Sequence, residues 1–299
     1  MKINKDTTIR DLVTNPLFEG YGHLLFPVDL NFSLDETMAG ITNSSHYIWY
    51  SNLHLESSLE VLNYLLKERQ QGRQIFYPIY SQEEIRKDSC KAGTGLFFFR
   101  GKRDNPFAVV NAGGGFHYVA ALHDSLPQAL VISQAGYNAF ALIYRPQTAY
   151  EDLGRALDFI YSHADELGVS RENYSLWGGS AGARMAITLG NLAGLRRFTR
   201  SSISQAAAVV SQYTGYATVS SDDAPTFANC GTNDGIANWR VMEKRMKGLS
   251  QLGIASECHV YKGLRHGFGL GKNTPAEGWI HQALAFWQEE MNRSRRRRQ

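Results

Sequence analysis

From about residue 74 onward the chain alternates short apolar, β-rich runs with segments of helical spacing, and this alternation limits the folds open to it. Strands are expected at Gln74 to Tyr80, Leu96 to Phe99, Phe107 to Asn111, Ala139 to Tyr144, Tyr174 to Trp177, Ala207 to Tyr213, Pro225 to Cys230 and Glu257 to Tyr261. Between the later ones, Leu153, Ala156, Leu157, Ile160 and Tyr161 recur at intervals of three and four, as do Ile236, Trp239, Met242, Met246 and Leu249. Strands that alternate with helices bury both their faces in a parallel sheet with helices packed above and below. The first three strands are separated only by turn-like stretches such as GKRDNP, which suits a meander. The expected class is α/β, with a mostly parallel central sheet of about eight strands and helices on both faces.

The first 73 residues differ in character and are read as a helical extension that packs on the core, residues 74–293, with a basic, disordered tail at 294–299. The extension holds a helix at Leu55 to Glu68, with Leu55, Leu59, Leu62, Leu65 and Leu66 on one face, after the aromatic stretch HYIWYSNLH. Of the formal charge of +3, five positive charges sit on Arg293 and Arg295 to Arg298, which leaves −2 for the rest. A near-neutral body makes a nucleic-acid partner unexpected, and the arginine run reads as a frayed terminus. No stretch approaches the roughly 18 unbroken apolar residues of a membrane span, and MKINKDTTIR lacks the apolar core of a signal peptide. A cytoplasmic protein without a membrane partner is expected. Cys90, Cys230 and Cys258 have no metal-ligand spacing and read as reduced, packed thiols, so neither metal nor cofactor is expected.

Gly178-Gly179-Ser180-Ala181-Gly182 follows the expected strand at Tyr174 and opens an alanine-rich helical run, Ala181 to Leu192. It fits G-x-S-x-G, in which a serine occupies a sharp strand-to-helix turn and larger neighbours would collide with the flanking elements. A nucleophilic serine needs a base, a group that orients the base, and donors for the oxyanion. The chain supplies them in the order Ser, Asp, His. Asp234 lies in GTNDGIA after the strand PTFANC, and His266 lies in GLRHGFGLG after the last strand. Upstream, FAVVN runs into AGGGF, whose glycines leave backbone N–H groups uncovered. Asp222 and Asp223 compete with Asp234 but precede the PTFANC strand rather than follow it.

NAGGGF, GGSAGA, GTNDGIA and RHGFG together resemble the α/β-hydrolase serine esterases, and within them the small acetylesterase-like branch of bacterial carbohydrate esterases that carries an x-G-G-G-[FY] loop. The resemblance covers about residues 74–293; the longer runs LLFPVD, WYS, GLFFFRG, YSLWGGSAGARMA and AEGW are similar as well, and the first two of these bring the N-terminal part into it. It implies the α/β-hydrolase fold. Many relatives have His before the glycines where this chain has Ala112.

On this reading Ser180 attacks an acyl carbonyl, His266 shuttles the proton and Asp234 fixes the imidazole. The N–H groups of Gly114 and Ala181, with Gly115 as a third, hold the oxyanion, and Phe116, His117 and Tyr118 face the substrate. Trp49 and Tyr50 are either pocket wall or core, whereas His123, His259 and Cys230 read as packing residues. Only eleven residues separate Tyr213 from Pro225, too few for a large helical lid. The expected partner is therefore a small-molecule ester with a short acyl group, acetyl-type by the resemblance and with a sugar among its alcohols. The alternatives are an exopeptidase or amidase, and a ligand-binding protein of the same fold. The sequence leaves open whether the chain forms a homo-oligomer.

Overall fold

In the computed structural model, which describes residues 2–26, 32–43 and 47–298, all eight expected strands join one sheet. They are β1 (Phe76–Pro78), β2 (Gly95–Phe99), β3 (Phe107–Asn111), β4 (Asn138–Ile143), β5 (Ser175–Gly179), β6 (Ala208–Gln212), β7 (Thr226–Gly231) and β8 (Ser256–Tyr261). Their order is β1-β2-β4-β3-β5-β6-β7-β8. From β4 to β8 all neighbours are parallel, whereas β2 is antiparallel to both β1 and β4. Parts of the quoted runs LLFPVD and HYIWYSNLH, together with Gln299, lie outside the described residues.

Three expectations are corrected. The first three strands are not a meander, because β2 pairs with β4 while β3 lies between β4 and β5. Every residue of FAVVN is buried, and such a strand is most stable where helices cover both its faces. Ile236 does not belong to a helical stripe. Asn238 caps the helix Trp239–Gln251 by accepting from the Arg240 N–H at 3.0 Å, so Ile236 stays in the preceding loop and is 59% exposed. The basic run is not a disordered tail, since the terminal helix runs Trp279–Arg298. Arginine is a good helix former, cations suit a helix C-terminus, and Arg293 pairs with Glu289 one turn back. The run after Ser180 also divides: the helix Ala181–Gly190 ends at Asn191, whose side chain accepts from the N–H groups of Ala193 and Gly194 and starts Leu192–Phe198.

Helices cover both faces of the sheet. Ser125–Gln134 touches the terminal helix on one side, and Ala149–Ser162 packs on Ala181–Gly190 on the other. Trp177 of β5 sits among Trp279 and Trp287 of the terminal helix, at ring-centroid distances of 6.3 and 6.4 Å. Among the described residues, no helix is long and apolar enough to cross a membrane.

The helix Leu55–Gln70 packs on Ser125–Gln134 and brings Ser58 Oγ within 3.0 Å of buried His123 Nδ1. Burial pushes the His123 pKa from 6.5 down to about 3. Between those values the unfolded chain binds a proton that the folded chain refuses, so stability falls as the pH drops. Unfolding by urea at pH 7 and pH 5 is expected to show the wild type losing about 2 kcal/mol more than His123→Gln over that interval. Equal losses would show that His123 does not carry the acid sensitivity.

Candidate active site

Ser180 stands between β5 and the helix Ala181–Gly190 with φ 52° and ψ −112°, outside the regions open to most L-residues. Such strain is held by close packing around the turn. A Cβ on Gly182 would run into the Asn111 carbonyl of β3, so the helix can approach the sheet only if that residue is glycine. Ser180 occupies the N-cap position, but its side chain makes no capping bond. Instead Ser180 Oγ lies 2.9 Å from His266 Nε2.

His266 Nδ1 lies 2.7 Å from Asp234 Oδ2. The other carboxylate oxygen, Oδ1, accepts from the N–H groups of Ile236 and Ala237, each at 2.8 Å. The carboxylate is thus locked on one side by backbone and offers its remaining oxygen to the imidazole. Because a carboxylate accepts, the proton sits on Nδ1, and Nε2 is left to accept from the Ser180 hydroxyl. Both side chains are withdrawn from solvent, at 0% exposure for Asp234 and 6% for His266. The edge of the Tyr213 ring packs 5.0 Å from the imidazole.

The three residues come from loops at the C-terminal ends of β5, β7 and β8, where open α/β sheets gather their ligands. The glycine loop follows β3 at the same end. Gly114 and Gly115 take φ of 132° and 60°, and a Cβ on Gly114 would strike the Tyr118 carbonyl. The loop carbonyls are occupied: Gly114 O accepts from the N–H groups of His117 and Tyr118, and Gly113 O from that of Ala120. The N–H groups of Gly114, Gly115 and Ala181 have no acceptor among the described residues, which leaves them free to meet an anionic oxygen.

Beneath this loop lies a buried carboxylate that the sequence reading missed. Asp124 Oδ2 accepts from the Gly113 N–H at 2.8 Å and from the Tyr50 hydroxyl at 2.6 Å. Asp124 Oδ1 accepts from Gln128 Nε2 at 2.6 Å, and the same amide donates to Gln212 Oε1 at 2.9 Å. Burial pushes the Asp124 pKa up, while the bonds from Tyr50 and Gly113 pull it down. Tyr50 belongs to the N-terminal extension, so this contact ties that segment to the glycine loop. A second tie runs from the Ser51 N–H to the carbonyls of His266 and Gly267, at 3.2 and 3.1 Å. A carboxylate at the N-cap of the helix Ser125–Gln134, eleven positions after Gly113, was the one available signal for Asp124.

The residues expected to face a substrate divide. Phe116, half-buried at φ 58°, packs against Tyr150, and His117 is exposed beside the Trp49 ring. Tyr118 is corrected: it is 1% exposed and stacked behind Trp49 at 5.5 Å, so it supports the wall without reaching open space. Trp49 also lies over Gly115, where a Cβ would meet its indole at 2.7 Å. Asp223, the competitor of Asp234, is committed elsewhere, to buried Arg245 at 2.9 Å. His259 pairs with Glu257 on β8, away from the three loops.

Residues 100–214 match the family model BD-FAE, a span that holds the glycine loop and the Ser180 turn and ends before Asp234 and His266. No curated protein matches the sequence. Among solved structures, the acetyl ester-xyloside bifunctional hydrolase of Caldicellulosiruptor lactoaceticus superposes with a TM-score of 0.62 at 20% identity, over 73% of this chain and 96% of that one. Esterase Est2 of Thermogutta terrifontis, bound to propionate, gives 0.60 at 18% identity over 72% and 93%. The carboxylesterase Cest-2923 of Lactobacillus plantarum gives 0.58 at 20% over 66% and 93%. At these identities the likeness is one of fold. With that sheet order the chain has the α/β-hydrolase fold, and its segment from β3 to β6 is similar to the BD-FAE family.

Proposed function

We propose that the protein is a serine hydrolase of short-chain acyl esters, acting through Ser180, His266 and Asp234 and a covalent acyl-enzyme. The observation that carries this reading is the unbroken chain from Ser180 Oγ through both imidazole nitrogens to a carboxylate anchored by backbone. Ser180 Oγ forms a bond to the acyl carbon as its proton passes to His266 Nε2. Negative charge on the carbonyl oxygen meets the N–H groups of Gly114, Gly115 and Ala181, each such donor being worth on the order of 3 kcal/mol of barrier. The carbon–oxygen bond to the alcohol then breaks, and Nε2 returns its proton to the leaving oxygen. Water attacks the acyl-enzyme, gives its proton to the same nitrogen, and Ser180 recovers it when the acid departs.

Short acyl groups are favoured because residues 214–224 hold no lid helix and Trp49 roofs the glycine loop. The named hydrolases of the same fold include one that acts on acetyl esters, which supports the acetyl class for this chain. A fluorophosphonate probe is expected to label the wild type and not Ser180→Ala. Absence of label on both would overturn the reading in favour of a binding protein. Across p-nitrophenyl acetate, butyrate and palmitate, kcat/KM is expected to fall with chain length, and a best rate on palmitate would sink the short-chain assignment. An aminoacyl anilide turned over faster than the acetate would replace the esterase by a peptidase.

A further inference from the structure

Between the N-terminal extension and the loops that carry Asp234 and His266 lies an open cleft of about 430 Å³. His266 borders it, Trp49 forms one wall, and Asn233 and Arg265 line it. Its rim is apolar. Ile48 is 68% exposed and Ile236 59%, unusual for isoleucine, and both face this one cleft from opposite chain segments. Arg265 is exposed and forms no ion pair or hydrogen bond among the described residues, and no Asp or Glu lines the cleft. An unneutralised guanidinium beside solvent-exposed isoleucines is a combination that only a ligand with matching chemistry would cover.

Geometry assigns the occupant. With the acyl oxygen at Gly114 and Ala181, the departing alcohol oxygen has to come within hydrogen-bond reach of His266 Nε2. The body attached to that oxygen therefore extends on the His266 side, where this cleft lies. We propose that the cleft is the leaving-group subsite and that Arg265 selects alcohols with an apolar or aromatic body carrying an anionic group, such as a carboxylate. The assignment rests on the ester-hydrolase reading and adds the class of alcohol. The alcohol's ring lies against Ile48, Ile236 and Trp49, and its anion meets the guanidinium at the mouth.

The test compares 4-acetoxybenzoate with the neutral 4-acetoxybenzamide, in the wild type and in Arg265→Gln. Dividing the wild-type ratio of kcat/KM values by that of the variant cancels the intrinsic reactivities of the two esters. The quotient is expected to be about five at low ionic strength, the size of a partly exposed ion pair. It should fall toward one as salt is raised, and Arg265→Lys should keep most of it. A quotient of one at low salt, with both esters turned over, overturns the anionic subsite and leaves the esterase intact. Failure of the wild type to turn over either ester, together with no fluorophosphonate label, overturns the hydrolase reading and the subsite with it.

Discussion

Ser180→Ala and His266→Ala are each expected to lower kcat/KM on p-nitrophenyl acetate by about 10⁴ to 10⁶, and the double variant by no more than the worse single. The reason lies in the geometry. Nε2 and Oγ share one hydrogen bond of 2.9 Å, so the hydroxyl is a nucleophile only while the imidazole can take its proton, and the imidazole has no task without the hydroxyl. Removing either abolishes the same step. Asp234→Asn should fall in the same range, because an amide at the Oδ2 position would donate to Nδ1 and favour the wrong tautomer. A double variant that multiplied the two single losses would show that the residues act in separate steps, and the proposed mechanism would fail.

The second large effect is expected at a residue that touches no substrate. Asp124→Ala removes the acceptor shared by the Gly113 N–H, the Tyr50 hydroxyl and the Gln128 amide. Unsatisfied buried donors cost about 1–3 kcal/mol each, so stability should drop by about 3 kcal/mol or more. Gly113 immediately precedes the N–H groups proposed to hold the oxyanion. Freeing it loosens donors whose value depends on being fixed before charge develops, and kcat should fall about 100-fold, as for loss of an oxyanion donor. KM should move much less, because the ground-state carbonyl leans little on those donors. Asp124→Asn keeps one acceptor oxygen for Tyr50 and Gly113 and should recover most of the rate. A purely structural role would instead lower stability in Asp124→Ala while leaving kcat per folded molecule unchanged. Because Tyr50 brings the extension into this network, Tyr50→Phe should show the same loss of kcat in smaller measure.

The local part of this molecule was legible. All eight strands fall where apolar runs end in turns, since a strand buried on both faces has to be continuously apolar. Ser180, Asp234 and His266 could be named because each demands particular neighbours: small residues around a strained turn, and loops at strand ends in a set order. Ile236 was misplaced because a local signal, the Asn238 cap, was passed over. The pairing of β2 with β4 and the burial of Tyr118 depend instead on which distant segment lies alongside, and spacing along a chain carries no such information. Asp124 and Arg265 were passed over for the same reason. A lone carboxylate at a helix start and a lone arginine in a loop are ordinary until the backbone of Gly113 is brought above one and a bare cleft beside the other.

By itself, then, the order of residues determined the strands, the strained serine and the identities of its two partners, because those rest on short-range sterics and hydrogen bonding. Tertiary structure alone decided the sheet order, the anchoring of the glycine loop by Asp124 and Tyr50, and the cleft shaped jointly by the extension and the histidine loop. Those features bring together segments that are not neighbours along the chain, Tyr50 and Asp124 being 74 residues apart, and are chosen by which surfaces can be buried together rather than by any local preference.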